Sequence, residues 1–218
     1  MVTADWYFDF ISPFAYLQSA KIEELSRHAT ITPRPVLFAA LLDHYGQLGP
    51  AEIAPKRTFT FRHALWLARR HGIPMKLPPS HPFNPLPPLR LAIALGNRIE
   101  VVQAIFDFIW REGRDIGDPA EWKTLAYRLD ASDADALVAD RAVKDALRRN
   151  GEEAISRGVF GVPTLAVDDQ LFWGFDSSEF FLDYLRHPDA LRRESFGPAE
   201  GLAQGPARRR KIDNPEQR

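Results

Sequence analysis

The sequence contains no cysteine. That excludes a disulfide framework, a thiolate zinc site and any thiol or dithiol chemistry carried by the chain itself. Neither sign of charge is in excess: 28 Lys and Arg stand against 29 Asp and Glu, a formal net charge of −1. The broad basic footprint of a dedicated nucleic-acid binder is therefore missing. No apolar run approaches the ~18 residues of a membrane span. Met1 to Phe10 carries Asp5 and Asp9 but no Lys or Arg, unlike the basic start of a secretory leader. What is present is a globular mixture, 45% hydrophobic and 26% charged over 218 residues. That length has room for one large domain or two small ones at ~100–200 residues each. These figures predict a soluble, cytoplasmic protein that engages neither nucleic acid nor membrane.

The opening run Asp5-Trp-Tyr-Phe-Asp-Phe-Ile11 is aromatic and β-favouring. It stops at Ser12-Pro13, an N-cap followed by a first helical position, and Phe14, Tyr16, Leu17 and Ala20 continue at helical spacing. Residues 31–38 read as a second strand, made an edge or an irregular one by Pro33 and Pro35. From about 38 to 156 the signals are helical, with candidates at 56–71, 89–96, 99–111, 121–129 and 134–157. They are broken by residues 78–88, six prolines in eleven positions, which cannot be helix interior. That stretch reads as an ordered loop lying over a cleft. Strand signals return at 161–167 and 171–173 around an acidic turn, a hairpin, and 177–185 forms a closing helix. The composition beyond residue 190 predicts a flexible tail over 191–218, its basic cluster Arg208 to Lys211 solvated.

Strand-helix-strand, a helical block, then hairpin-helix predicts an α/β fold: a thioredoxin-like four-stranded sheet with an inserted all-helical domain. The sheet domain is discontinuous, 1–37 and 157–190, and the insertion is 38–156. In redox members of this fold the first strand-to-helix junction bears Cys-x-x-Cys. Here it reads Ser12-Pro13-Phe14-Ala15, so dithiol catalysis is excluded. Two readings of Ser12 stay open: a plain helix cap, or a hydroxyl that meets an anion at the helix start. Val162-Pro163-Thr164 stands where the fold places a cis proline. Either Pro163 is trans and simply opens a strand, or it is cis and leaves the Val162 backbone free to pair with a bound peptide.

The sequence resembles the 2-hydroxychromene-2-carboxylate isomerases, relatives of the kappa-class glutathione transferases. The resemblance rests on Phe8 through Leu17, on Lys56-Arg57 ahead of Ala68-Arg69-Arg70-His71-Gly72-Ile73-Pro74, on Pro82-Phe83-Asn84-Pro85-Leu86 before Leu89-Arg90, and on Gly158 through Thr164 running to Phe172-Trp173-Gly174. It implies a cytosolic homodimer that binds glutathione and interconverts 2-hydroxychromene-2-carboxylate and trans-o-hydroxybenzylidenepyruvate in bacterial breakdown of naphthalene-like aromatics. It also implies roles for particular residues. Ser12 carries over as the catalytic serine, a hydrogen-bond donor to the glutathione thiolate. Val162, beside Pro163, becomes the backbone partner of glutathione, and Asp176 the partner of its γ-glutamyl end. The stretch Gly174-Phe175-Asp176-Ser177-Ser178 departs from relatives that continue with Arg or a similar polar residue.

Under the same resemblance Lys56 pairs with a carboxylate of glutathione or substrate, and Arg62 and Asn84 contact the small aromatic substrate. Their alternatives are a solvated surface lysine, an outward-facing helical arginine and a turn-forming asparagine. His81 has no companion at metal-ligand spacing and reads as a loop histidine. Phe38, Phe59, Phe61 and Trp110 line an aromatic pocket or sit in the core. Two other functions compete: a kappa-like transferase that conjugates electrophiles at the same site, and a noncatalytic binding module that uses the vacant groove.

Overall fold

The aromatic run that opens the chain is a central strand. In the computed structural model, which describes residues 2–189, 199, 201–203 and 205, β1 (Thr3–Phe8) lies parallel to β2 (Thr30–Pro35) and antiparallel to β3 (Thr164–Val167). Strand β4 (Gln170–Trp173) completes the order β2-β1-β3-β4. Over the second half of β1 both faces are covered, so Trp6, Tyr7 and Phe8 follow one another without a polar residue between them; all three are 0% exposed. Side chains still point to opposite faces in turn. Trp6 stacks on Phe8 at 4.5 Å, Phe8 meets Phe10 edge-to-face at 5.3 Å, and Phe10 meets Phe106 at 4.7 Å. On the other face Tyr7 packs with Val36, Leu41, Ala154 and Val159. The prolines of β2 sit at the sheet edge, where a missing N–H is tolerated.

Helices α1 (Pro13–Ser19) and α2 (Ile22–Leu25) connect β1 to β2. Between β2 and β3 the chain is helical: α3 (Phe38–Tyr45), α4 (Ala54–Arg70), α5 (Leu86–Ala94), α6 (Ile99–Phe106), a π-helical turn (Asp107–Arg111), α7 (Pro119–Arg128), α8 (Ala134–Ala139) and α9 (Arg141–Ser156). This is the four-stranded α/β arrangement with a helical insertion that the sequence predicts. Several boundaries differ, two of them for a clear physical reason. Helix α5 begins inside the proline-rich stretch, because Pro87 and Pro88 occupy a first turn whose N–H groups have no intrahelical partner anyway. The single helix expected over 134–157 is two, broken at Asp140, whose Oδ1 caps α9 by accepting Ala142 N–H at 2.6 Å and Val143 N–H at 3.3 Å.

The described part of Met1–Leu182 forms one compact unit and that of Asp183–Arg218 a second. Helix α10 (Ser178–Arg186) starts in the first, where Phe180 and Phe181 pack on Phe172 at 5.1 and 5.5 Å. The tail expected over 191–218, with its basic cluster, lies outside the described residues except at 199, 201–203 and 205.

Candidate functional site

Ser12 sits where β1 gives way to α1. Its backbone is extended (φ −90°, ψ 116°), and its Oγ accepts the Ala15 N–H at 3.2 Å. It is therefore a helix cap, as one reading of the sequence requires. Accepting that bond leaves the hydroxyl hydrogen, for which no acceptor exists among the described residues. At seven residues α1 is a short helix, so the hydroxyl rather than the helix dipole is the distinctive group. Nearby, the Val162–Pro163 peptide is cis, and neither the N–H nor the C=O of Val162 finds a partner among the described residues.

Ser12 and Val162 both line a cavity of about 540 Å³. Its wall is mostly apolar, with Phe14, Phe38, Phe61, Phe83 and Trp173 supplying rings. The proline-rich loop forms part of that wall through His81, Pro82, Phe83 and Pro85, so it lies over a cleft. A second concavity, whose lining includes Arg111, Glu112, Arg114 and Glu121, is a charged surface groove; Arg114 bridges Glu112 and Glu121 at 2.8 Å each, so those charges satisfy one another.

Several polar side chains line the cavity, Asp43, Gln47, Glu52 and Thr60 as well as Asp9, Arg57 and His81. Asp9 is wholly buried; its Oδ1 accepts Ile11 N–H at 3.1 Å and its Oδ2 accepts Phe38 N–H at 2.8 Å. Burial pushes its carboxyl up to about 7, against the opposing pull of those amides. The His81 Nε2 faces the Ile11 carbonyl at 2.9 Å. Burial holds this imidazole below its ordinary range, although the Ile11 carbonyl pulls the other way. Tyr16 donates its hydroxyl to the Pro74 carbonyl, and burial pushes the phenol to about 12, which makes it a fixed donor rather than an acid. Arg57 donates to the His81 carbonyl at 2.6 Å and lies over the Phe61 ring at 6.0 Å.

Residues 3–186 match the family model for the DSBA-like thioredoxin domain. The chain belongs to the DSBA-like thioredoxin family. It is 34% identical over 191 residues to the 2-hydroxychromene-2-carboxylate isomerase of Sphingobium xenophagum, covering 84% of this chain and 97% of that protein. It is 28% identical over 208 residues to glutathione S-transferase kappa 2 of Caenorhabditis elegans, covering 84% of this chain and 91% of the other. Among solved structures, a 2-hydroxychromene-2-carboxylate isomerase superposes with a TM-score of 0.70 at 23% identity, over 92% of this chain and 100% of that one.

Within this DSBA-like thioredoxin domain, the cavity brings together two of the residues singled out from the sequence, Ser12 and Val162. Pro163 is buried and accepts Gly174 N–H at 2.8 Å through its carbonyl. Lys56, Arg62, Asn84 and Asp176 are exposed and do not line the cavity. The Asn84 Oδ1 accepts Leu86 N–H at 3.1 Å, the turn-forming role, and Asp176 lies in the 3₁₀ turn Phe175–Ser177. Phe38 and Phe61 line the cavity. Phe59 is 66% exposed, and Trp110 is fully buried, donating its Nε1–H to the Phe10 carbonyl at 2.8 Å. Among the polar cavity residues not picked out are Asp9, Arg57 and His81. Each left a trace in the sequence. Asp9 is a charge within the aromatic run that continues past β1, and Arg57 stands four residues before Phe61 on one helix face. His81 is enclosed by prolines in the loop over the cleft.

Proposed function

We propose that this protein is a glutathione-dependent isomerase that interconverts 2-hydroxychromene-2-carboxylate and trans-o-hydroxybenzylidenepyruvate. The observation that carries the reading is the pairing, across one apolar cavity, of an uncommitted Ser12 hydroxyl hydrogen with an unpaired Val162 backbone. A chain without cysteine runs thiol chemistry only with a borrowed thiol, and these groups fit a cysteinyl peptide. The Val162 N–H and C=O pair with it as an added strand would, and the Ser12 hydroxyl donates to its sulfur. Bound glutathione supplies a thiolate that adds reversibly to the substrate's conjugated double bond, which becomes single, rotates and re-forms as the sulfur leaves.

The protein's part is to favour the thiolate and hold the substrate. A free thiol at pKa ~8.5 is only a few per cent ionised at pH 7, and each unit of lowering requires ~1.4 kcal/mol of preference for the anion. A hydroxyl donor in an apolar cavity provides that kind of preference. The Phe38, Phe61 and Phe83 rings accommodate an aryl group, and Arg57 is the cavity cation suited to a carboxylate. Asp176 and Lys56 remain proposed partners of the γ-glutamyl end and of a carboxylate, at the cavity's exterior. Arg62 and Asn84 remain proposed substrate contacts. The reading carries with it a cytoplasmic homodimer, which sedimentation of the purified protein tests.

The relative named as a kappa transferase supports a second reading, conjugation of electrophiles at the same site. Chromatography of reactions with the chromene and with a model electrophile separates the two. Glutathione-dependent equilibration of the chromene supports the isomerase; conjugates accumulating while the chromene stays untouched would overturn it.

A further inference from the structure

The turn from Phe10 to Ser12 belongs to neither strand nor helix, so its peptide groups need partners from elsewhere. All of them are found. The Phe10 carbonyl takes the Trp110 indole N–H at 2.8 Å, and the Ile11 N–H goes to the Asp9 carboxyl at 3.1 Å. The Ser12 N–H goes to the Asp9 carbonyl at 3.1 Å, and the Ile11 carbonyl faces His81 Nε2 at 2.9 Å. Two of these four partners, Trp110 and His81, come from the helical insertion rather than from the sheet.

A ring nitrogen that faces a carbonyl must carry the hydrogen, so Nε2 is the N–H and Nδ1 bears the lone pair in neutral His81. Nδ1 is buried and without a partner among the described residues. The ring stands among Phe61, Phe83 and Trp110 at 5.0, 5.9 and 6.0 Å. The charged group that faces it is Arg57 of α4, bonded to the His81 carbonyl; from the β1 side Asp9 holds the opposite edge of Ile11.

We propose that His81 is a positioning residue for Ser12: its Nε2–H, given to the Ile11 carbonyl, fixes the peptide plane leading into α1 and so the direction in which the Ser12 hydroxyl faces the cavity. The identity of the group that Ser12 meets rests on the glutathione reading above. The hold is built for the neutral ring. Protonation adds an Nδ1–H with no acceptor in an aromatic enclosure, beside the Arg57 cation, and the ring relieves this only by leaving its place. Acidification therefore loosens the turn.

The test uses His81→Gln, which keeps a donor at the Nε2 position but cannot titrate, and His81→Phe, which keeps a ring and loses the donor. The first measurement needs no ligand: amide hydrogen exchange at Ser12, corrected for the intrinsic pH dependence. This N–H belongs to the same peptide group as the Ile11 carbonyl and pairs with a backbone carbonyl rather than with the titrating Asp9 carboxyl. In the wild type, protection should fall as pH drops through the His81 titration. In His81→Gln it should persist, and in His81→Phe it should be low throughout. The second measurement is chromene turnover, expected about fivefold to tenfold lower in His81→Phe, with the glutathione KM nearly unchanged and most of the rate restored in His81→Gln. Equal protection in all three proteins overturns the proposal. So does a His81→Gln protein as impaired as His81→Phe, since the ring's packing and not its donor would then matter. If the wild type does not turn over the chromene, the glutathione reading falls, and the exchange comparison still decides the role of His81.

Discussion

The Asp9 Oδ2 accepts the amide of Phe38 at 2.8 Å, so a carboxyl at the end of the β1 run holds the first residue of α3. The same group binds Ile11 through its other oxygen. One buried side chain thus sets the spacing between the Ser12 turn and the helix on the far side of the cavity.

That burial has a pH signature. Asp9 is raised to about 7 in the folded chain, from ~4 when unfolded. Between these values the folded protein keeps a proton that the unfolded one has released. The stabilisation is fully present below about pH 4 and is lost as pH rises through about 7. The Tm of the wild type minus that of Asp9→Asn should therefore fall between about pH 4 and pH 8. A constant difference would show that Asp9 ionises normally.

Ser12→Ala removes the hydroxyl donor and the Ala15 cap but leaves Val162 in place. The ultraviolet thiolate band of bound glutathione should titrate one to two units higher, and turnover near pH 7 should fall roughly 10–100-fold. Part of the rate should return at higher pH, as the thiol ionises unaided. Unchanged activity with an unchanged titration would leave Ser12 a helix cap only.

Arg57 reaches the cavity, whereas its neighbour Lys56 does not. Arg57→Met should raise the KM for the carboxylate-bearing substrate roughly tenfold, equivalent to ~1.4 kcal/mol, and Lys56→Met and Arg62→Met by less. Steady-state kinetics on the three variants gives the order directly. A larger effect at Lys56 would move the anion-binding role outside the cavity.

Gly161 abuts the cavity-lining Trp173. A Cβ at this position would lie 2.6 Å from Trp173 Nε1, and the indole, 54% exposed, has room to swing aside. Gly161→Ala should therefore shift the substrate KM several-fold while Tm moves by only about 2–4 °C, the equivalent of ~1 kcal/mol. Crystals of the variant with Trp173 unmoved would refute the contact.

The sheet and the helical block were legible because their signals are local: an aromatic strand, helical periodicity, a hairpin turn. Ser12 and Val162 were legible because each lies at a junction that the sequence itself marks with proline. The flanking polar groups were not. The partnership of His81 with Ile11 spans 70 positions and that of Trp110 with Phe10 spans 100, and no periodicity connects such pairs. Lys56 and Arg57 are adjacent in sequence, and which of them faces the cavity depends on how α4 is rotated. Pro87 and Pro88 hid the start of α5 because the same residues that forbid a helix interior are at home in its first turn.

The dependence of the Ser12 turn on Trp110 and His81 also bears on the order in which the chain comes off the ribosome. β1, α1 and β2 emerge first, but β1 has no second neighbour until Thr164 is made, and the turn lacks two of its four partners until the insertion has been synthesised. An N-terminal fragment ending within the insertion would present the unpaired edge of β1 to other chains, which invites aggregation. A fragment that stops short of residue 162 lacks the backbone that faces Ser12, and the cavity between them closes only when the β3–β4 hairpin has joined β1.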